Sequence, residues 1–130
     1  MSRSYARECA FKLVFEYIFN KEKDDEALSE FIEEDKNEAE VGYISEVYNG
    51  VIAHYDELVS DVEKFSKSFK IDRVYKVDLA ILLVAIYEMK YISSIPAKVS
   101  MNEALNLSKI YSTEKSYNYI NGILSNFVGE

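Results

Sequence analysis

The stretch from Val77 to Tyr91 carries Val77, Leu79, Ala80, Ile81, Leu82, Leu83, Val84, Ala85, Ile86 and Met89, apolar residues on nearly every side of a helix. A helix without a polar face lies in the middle of a domain or covers a partner's surface. The rest of the chain must supply elements able to wrap it. With only four glycines and one proline in 130 residues, an all-β arrangement with many tight turns is excluded. Elsewhere apolar residues recur at three- and four-residue steps, the spacing of helix faces. The expected fold is all-α, six or seven helices in two packed bundles. It forms a single domain over residues 1–130, with 66–72 (SKSFKID) as the candidate joint between halves.

Along the chain, Ala6, Cys9, Ala10, Leu13 and Tyr17 define a first amphipathic helix. Ala27, Leu28, Phe31 and Ile32 define a short surface helix within an acidic segment. A long stripe follows from Val41 through Val47, Val51, Leu58 and Val62 to Phe65. Gly50 lies inside it, as a close-packing point or as a bend. Ser60-Asp61-Val62-Glu63 resembles a capping box, so the stripe reads as one helix or as two joined between His54 and Ser60. Asp72 is a candidate N-cap for the apolar helix, and Ile95-Pro96 ends it. Ser100-Met101-Asn102-Glu103 reads as a second capping box, opening a helix that buries Ala104, Leu105, Leu107 and Ile110. Ser112 or Thr113 caps the last helix, with Glu114 in its first turn. Gly122, after Asn121, interrupts neither Ile120 nor Ile123 in their helical spacing. A glycine there costs about 1 kcal/mol against alanine, which predicts a packing reason for it.

The formal charge of −8 is matched by residues 22–40 alone, where ten acidic side chains face two lysines. Residues 1–21 and 66–130 each carry a net of +2. Charges more than about 10 Å apart are largely screened at 0.1 M salt, so an acidic total leaves room for local basic surface. No apolar run approaches the roughly 20 residues that span a bilayer. The N-terminus lacks the apolar segment of a signal peptide, and the single Cys9 cannot form an internal disulfide. Both predict a cytoplasmic protein. One histidine, His54, and one cysteine rule out a His/Cys metal cluster, and no Gly-rich phosphate loop is present. The inventory argues against an enzyme and predicts no metal or cofactor.

Three segments resemble the NusB family of transcription antitermination factors. SYARECAFKLVFEY resembles the family's basic opening and first helix, and YISEVYNGV its middle helix. DRVYKVDLAILLVAIYEM, IPAKVSMNEALNLSKIY and YINGIL follow in the family's order. The resemblance implies an all-helical, non-enzymatic protein that binds the boxA element of nascent RNA jointly with the ribosomal protein NusE. It implies assembly with RNA polymerase and other Nus factors in ribosomal RNA transcription. Single-stranded RNA is held by cations on phosphates and rings on unpaired bases. The first helix offers Arg3, Arg7 and Lys12 with Tyr5 and Phe15. Lys115 and Tyr119 flank the start of the last helix, and Asp78 is a candidate acceptor for a base donor. The resemblance places the ribosomal partner at Asp72 and its helix.

The chain departs from the family pattern in several places. Ser4 and Tyr5 stand within the usual arginine cluster, and Leu79 and Leu83 where arginines are common. Lys115 replaces a commonly acidic residue, and Asn118 a basic one. Fewer phosphate contacts predict weak RNA binding by the chain alone. Leu79 and Leu83, four residues apart, are candidates for a partner or homodimer patch if exposed and for core if not. The rival expectation is a helical protein–protein interaction module with little intrinsic RNA binding.

Overall fold

The computed structural model describes residues 2–34, 38–67 and 70–128. Residues 35–37 of the acidic segment, 68–69 of the candidate joint and the Val41 side chain of the long stripe lie outside the described residues. Seven α-helices are described: α1 (Arg3–Asn20), α2 (Asp25–Glu34), α3 (Glu38–Ala53), α4 (Tyr55–Phe65), α5 (Lys76–Tyr91), α6 (Ala97–Tyr111) and α7 (Glu114–Leu124). One 3-10 turn, Ile71–Arg73, precedes α5. Among the described residues there is no strand, and no helix is long and apolar enough to cross a membrane.

Local chemistry sets several boundaries. The Ser2 side chain accepts the Tyr5 N–H at 3.1 Å and opens α1. Lys21, with φ of 56°, closes it. The Asp24 carboxylate accepts the Ala27 N–H at 2.9 Å at the start of α2, where Asp25 and Glu26 face the positive end of the helix dipole. Thr113 caps α7 as expected, its hydroxyl accepting the Ser116 N–H at 3.1 Å.

The capping patterns expected at Ser60, Asp72 and Ser100 are corrected. The long stripe is two helices joined at His54, within the expected span, and Ser60 lies inside α4. His54 takes φ of −111° and ψ of 22°. Its ring stacks on Tyr91 with centroids 4.3 Å apart, which occupies the bend. Asp72 sits in the 3-10 turn, so α5 starts four residues later, at Lys76. Pro96 starts α6 ahead of the expected box, and Ser100, one turn in, gives its hydroxyl to Glu88 instead of a backbone amide.

The apolar helix is α5, and it packs against α1, α3, α4, α6 and α7. All eleven residues from Asp78 to Glu88 are buried. Leu79 and Leu83 are 3% and 0% exposed, so they are core residues and the expected partner or dimer patch is withdrawn. The reason is that α5 is wrapped on all sides and has no free face. Ile110, expected in the core, is 67% exposed on α6.

The two interior glycines differ. A Cβ at Gly50 would fall 2.2 Å from the Tyr87 ring, so α3 and α5 meet there with only hydrogen between them. Tyr87 stacks on Tyr91 at 5.2 Å and cannot swing aside freely. Gly50→Ala should therefore reverse the usual helix gain of alanine and cost about 1–3 kcal/mol. Urea denaturation checks this; an unchanged midpoint would mean that the ring yields. At Gly122 a Cβ would meet nothing within 4 Å, so the expected packing reason is absent from this chain.

Candidate nucleic-acid interface

The two halves of α1 do different work. Near its start, Arg7 points inward and is 3% exposed. Its Nε donates to Glu88 Oε2 at 2.7 Å and its Nη2 to Oε1 at 3.0 Å. Its Nη1 lies 3.7 Å from Glu103. Burial opposes the charge, but the hydrogen bond to Glu88 and the electrostatic effects of Tyr43, Glu88 and Glu103 outweigh it. The guanidinium is held above the ordinary arginine value. Tyr43 also donates to Glu88 Oε2, and Ser100 donates to Oε1 at 2.7 Å. Burial and the Glu88 charge push the Tyr43 phenol far up. Arg3 pairs with Glu40 at 2.7 Å and lies 4.5 Å over the Tyr43 ring.

These contacts correct the expected role of Arg7. A buried guanidinium whose nitrogens all face carboxylates has nothing to offer a phosphate. Its work is to tie α1 to α5. Arg3 shares the Tyr43 ring with Arg7 and, about 18 Å of helix away from Phe15, is not brought beside Lys12 or Lys115.

The second half of α1 opens outward. Lys12, Phe15 and Phe19 share one face, at three- and four-residue spacing. Phe15 is half-buried, its ring 6.4 Å from Phe11 and 5.1 Å from Phe19. Phe19 is 58% exposed. Tyr111, at the end of α6, packs on Phe11 at 5.2 Å and carries the Lys12 ammonium 5.9 Å over its ring. Its hydroxyl donates to Glu8, which fixes the ring.

A depression of about 460 Å³ lies beside this row, lined by Phe15, Phe19, Tyr75, Lys76, Tyr111 and Thr113. A second, of about 530 Å³, shares Tyr75 and Thr113 with it and extends to Arg73, Asp78, Lys115 and Tyr119. The pair forms one continuous face from α1, past the start of α5, to the start of α7. Thr113 and Ser116 satisfy one N–H of the α7 terminus, which leaves those of Glu114 and Lys115 toward solvent. Tyr119 is half-buried, its hydroxyl 2.7 Å from the Ser66 hydroxyl, and burial pushes its phenol up.

Asp78 is 4% exposed and forms part of the second depression's wall. Its two oxygens accept from Ser112 at 2.6 Å and Ser116 at 2.7 Å. It belongs to the first turn of α5, where the helix dipole favours a carboxylate. Its first task is to hold the α6–α7 turn against α5. Asp72 is exposed beside this face, in the 3-10 turn.

Of the expected residues, the face gathers Lys12, Phe15, Asp78, Lys115 and Tyr119. It adds Phe19, Arg73, Tyr75, Lys76 and Tyr111, which sequence reasoning passed over. Tyr75 is 63% exposed. The signal was present in Arg73-Val74-Tyr75-Lys76, a ring between two cations just before a buried helix. Among the described residues no group of His, Cys, Asp and Glu is arranged to hold a metal ion.

The chain is similar to known proteins over nearly its whole length. It is 43% identical over 129 residues to the transcription antitermination protein NusB of Acetivibrio thermocellus, covering 98% of this chain and 89% of that one. Its fold superimposes on T. maritima NusB with a TM-score of 0.89 at 25% identity, covering 98% and 91% of the two chains. It matches a chain from the crystal structure of the antitermination factors NusB and NusE with double-stranded RNA at a TM-score of 0.84. The identity there is 26%, over 98% of each chain. Residues 4–129 match the profile of the NusB family, and the chain belongs to that family.

Proposed function

We propose that this chain is a transcription antitermination factor, not an enzyme, that binds boxA-type RNA jointly with the ribosomal protein NusE. It acts in the cytoplasm, within the RNA polymerase complex formed with the other Nus factors on ribosomal RNA operons. The observation that carries the RNA reading is the face on which the α1 rings and the α7 start meet around Tyr75 and Thr113. In this reading Lys12, Arg73, Lys76 and Lys115 neutralise phosphates, and the free N–H groups at the α7 terminus add to them. Phe15, Phe19, Tyr75, Tyr111 and Tyr119 offer edges and faces for unpaired bases. Asp78 holds the α6–α7 turn in register and lends acceptor capacity to the wall. Asp72, exposed beside the face, fits the ribosomal partner's edge of the complex.

The first-helix arginines contribute little here, because Arg3 and Arg7 are engaged with Glu40 and Glu88. The four cations of the face are also opposed by Asp78 and Glu114, which line the same surface. The chain alone therefore binds RNA weakly, and the partner supplies the rest of the cationic surface. The test is titration of boxA-type RNA with the chain, with NusE, and with both, at several salt concentrations. The expected result is cooperative binding by the pair, with log K falling linearly in log salt. Tight association with NusE and no effect of this chain on RNA affinity would favour the interaction-module reading instead.

A further inference from the structure

A third depression, of about 570 Å³, runs between the end of α4 and the outer face of α7. It shares Tyr119 with the RNA face described above, so the two are continuous around one ring. Lys64 and Lys67 stand on one side, Asn118 and Asn126 on the other, and no carboxylate is among its lining residues. Lys64 and Lys67 are exposed. Its floor includes Gly122, and this residue has no explanation within the chain. It lies inside α7, its φ is not positive, and a Cβ there would meet nothing. Neither conformational freedom nor internal packing calls for glycine, yet the helix carries its propensity penalty. A bare backbone on an open face is what a second backbone needs for close approach.

We propose that this α4–α7 groove holds the continuing strand of the same single-stranded RNA, its sugar–phosphate backbone laid against Gly122. The inference rests on the RNA reading of the adjoining face. Charge complementarity selects the occupant: two lysines and no carboxylate suit a polyanion. Lys64 and Lys67 take phosphates, and the exposed Asn118 amide donates to or accepts from a ribose 2′-OH. Tyr119 stands where the strand passes from one depression to the next.

The experiment compares oligoribonucleotides of about 6 and about 12 nucleotides that share the same boxA core, each with NusE present. Three proteins are used: wild type, Gly122→Leu, and Lys64→Gln/Lys67→Gln. Gly122→Ala serves as the fold control and should raise Tm by a few degrees, about 3 °C. Wild type should bind the longer RNA about tenfold more tightly, with a salt slope steeper by roughly 1.4, two single-strand phosphate contacts. Both groove variants should bind the longer RNA no better than the shorter one, with the shorter one's affinity unchanged. If the short RNA binds and lengthening it gains nothing, or if the variants keep the gain, the groove proposal fails while the RNA face stands. If the variants lose NusE affinity measured without RNA, the groove is a protein contact and the proposal fails. If neither RNA binds, the reading of the face fails and this one with it.

Discussion

Glu88→Gln should cost about 3–5 kcal/mol of folding stability. Glu88 is 0% exposed and accepts four hydrogen bonds, two on each oxygen. A carboxylate has about four lone-pair sites, so its capacity is fully used. The amide keeps the shape but loses the charge and turns one acceptor into a donor. That donor would face the N–H of Arg7 or the hydroxyls of Tyr43 and Ser100. Arg7 would then be a buried cation with only the longer contact to Glu103, at 3.7 Å, as counter-charge. Urea denaturation should show a lower midpoint with an unchanged slope. Arg7→Met combined with Glu88→Leu should recover part of the loss, because the unpaired charge is gone. The recovery should be incomplete, since the Tyr43 and Ser100 hydroxyls lose their acceptor, at about 1–3 kcal/mol each. A Glu88→Gln protein as stable as wild type would show that the pair is dispensable.

Phe19→Ala and Tyr75→Ala should each weaken RNA binding by about 1–3 kcal/mol, roughly 5- to 150-fold. Both rings are more than half exposed, so folding stability should stay within about 0.5 kcal/mol. Stacking is not electrostatic, and the salt slope should not change. Lys115→Ala should behave differently: a smaller loss that acts on all sequences alike and lowers the slope by roughly 0.7. Arg7→Ala should damage stability and leave no RNA-specific defect at temperatures where the variant is folded. Affinities from fluorescence anisotropy in the NusE complex would separate these cases. Ring variants that bind RNA as tightly as wild type would move the interface off this face.

The parts of the fold legible in the sequence are those with a single physical cause. An all-round apolar run has to be central, and α5 is. Both hydrogen bonds of the Thr113 hydroxyl are local, to the N–H and the hydroxyl of Ser116, and it caps α7. Misreadings arose where a side chain had a distant claim on it. Ser100 and Glu103 match a capping pattern, but Pro96 had already started the helix and the Ser100 hydroxyl was drawn to Glu88. Ser60 and Glu63 match it too, while the actual break at His54 has no glycine or proline to announce it. It rests on packing of His54 against Tyr91, twin residues that no local pattern connects. The Arg7–Glu88 pair was legible in principle. Glu88 is the only acidic residue between Leu79 and Met89, and a charge in such a helix needs a partner. Arg7 lies between Ala6 and Cys9, inside the apolar stripe of α1. The candidate site was half legible: Lys12 and Phe15 lie on the patterned first helix, and Lys115 and Tyr119 on the patterned last one. Tyr75 and Phe19 became candidates only once tertiary packing had left them outside.

The position of α5 also governs how this molecule comes apart. Helices α1, α3, α4, α6 and α7 all pack on this one helix. If any of them lifts away, it strips α5 of part of its cover and leaves leucines, isoleucines and valines in water. Such a half-opened form saves little chain entropy relative to what it exposes, so the ladder of cheap local openings found in many proteins is confined to the ends and to α2. Rearrangements during assembly therefore fall to the rim of the structure, and the central helix serves as its fixed axle.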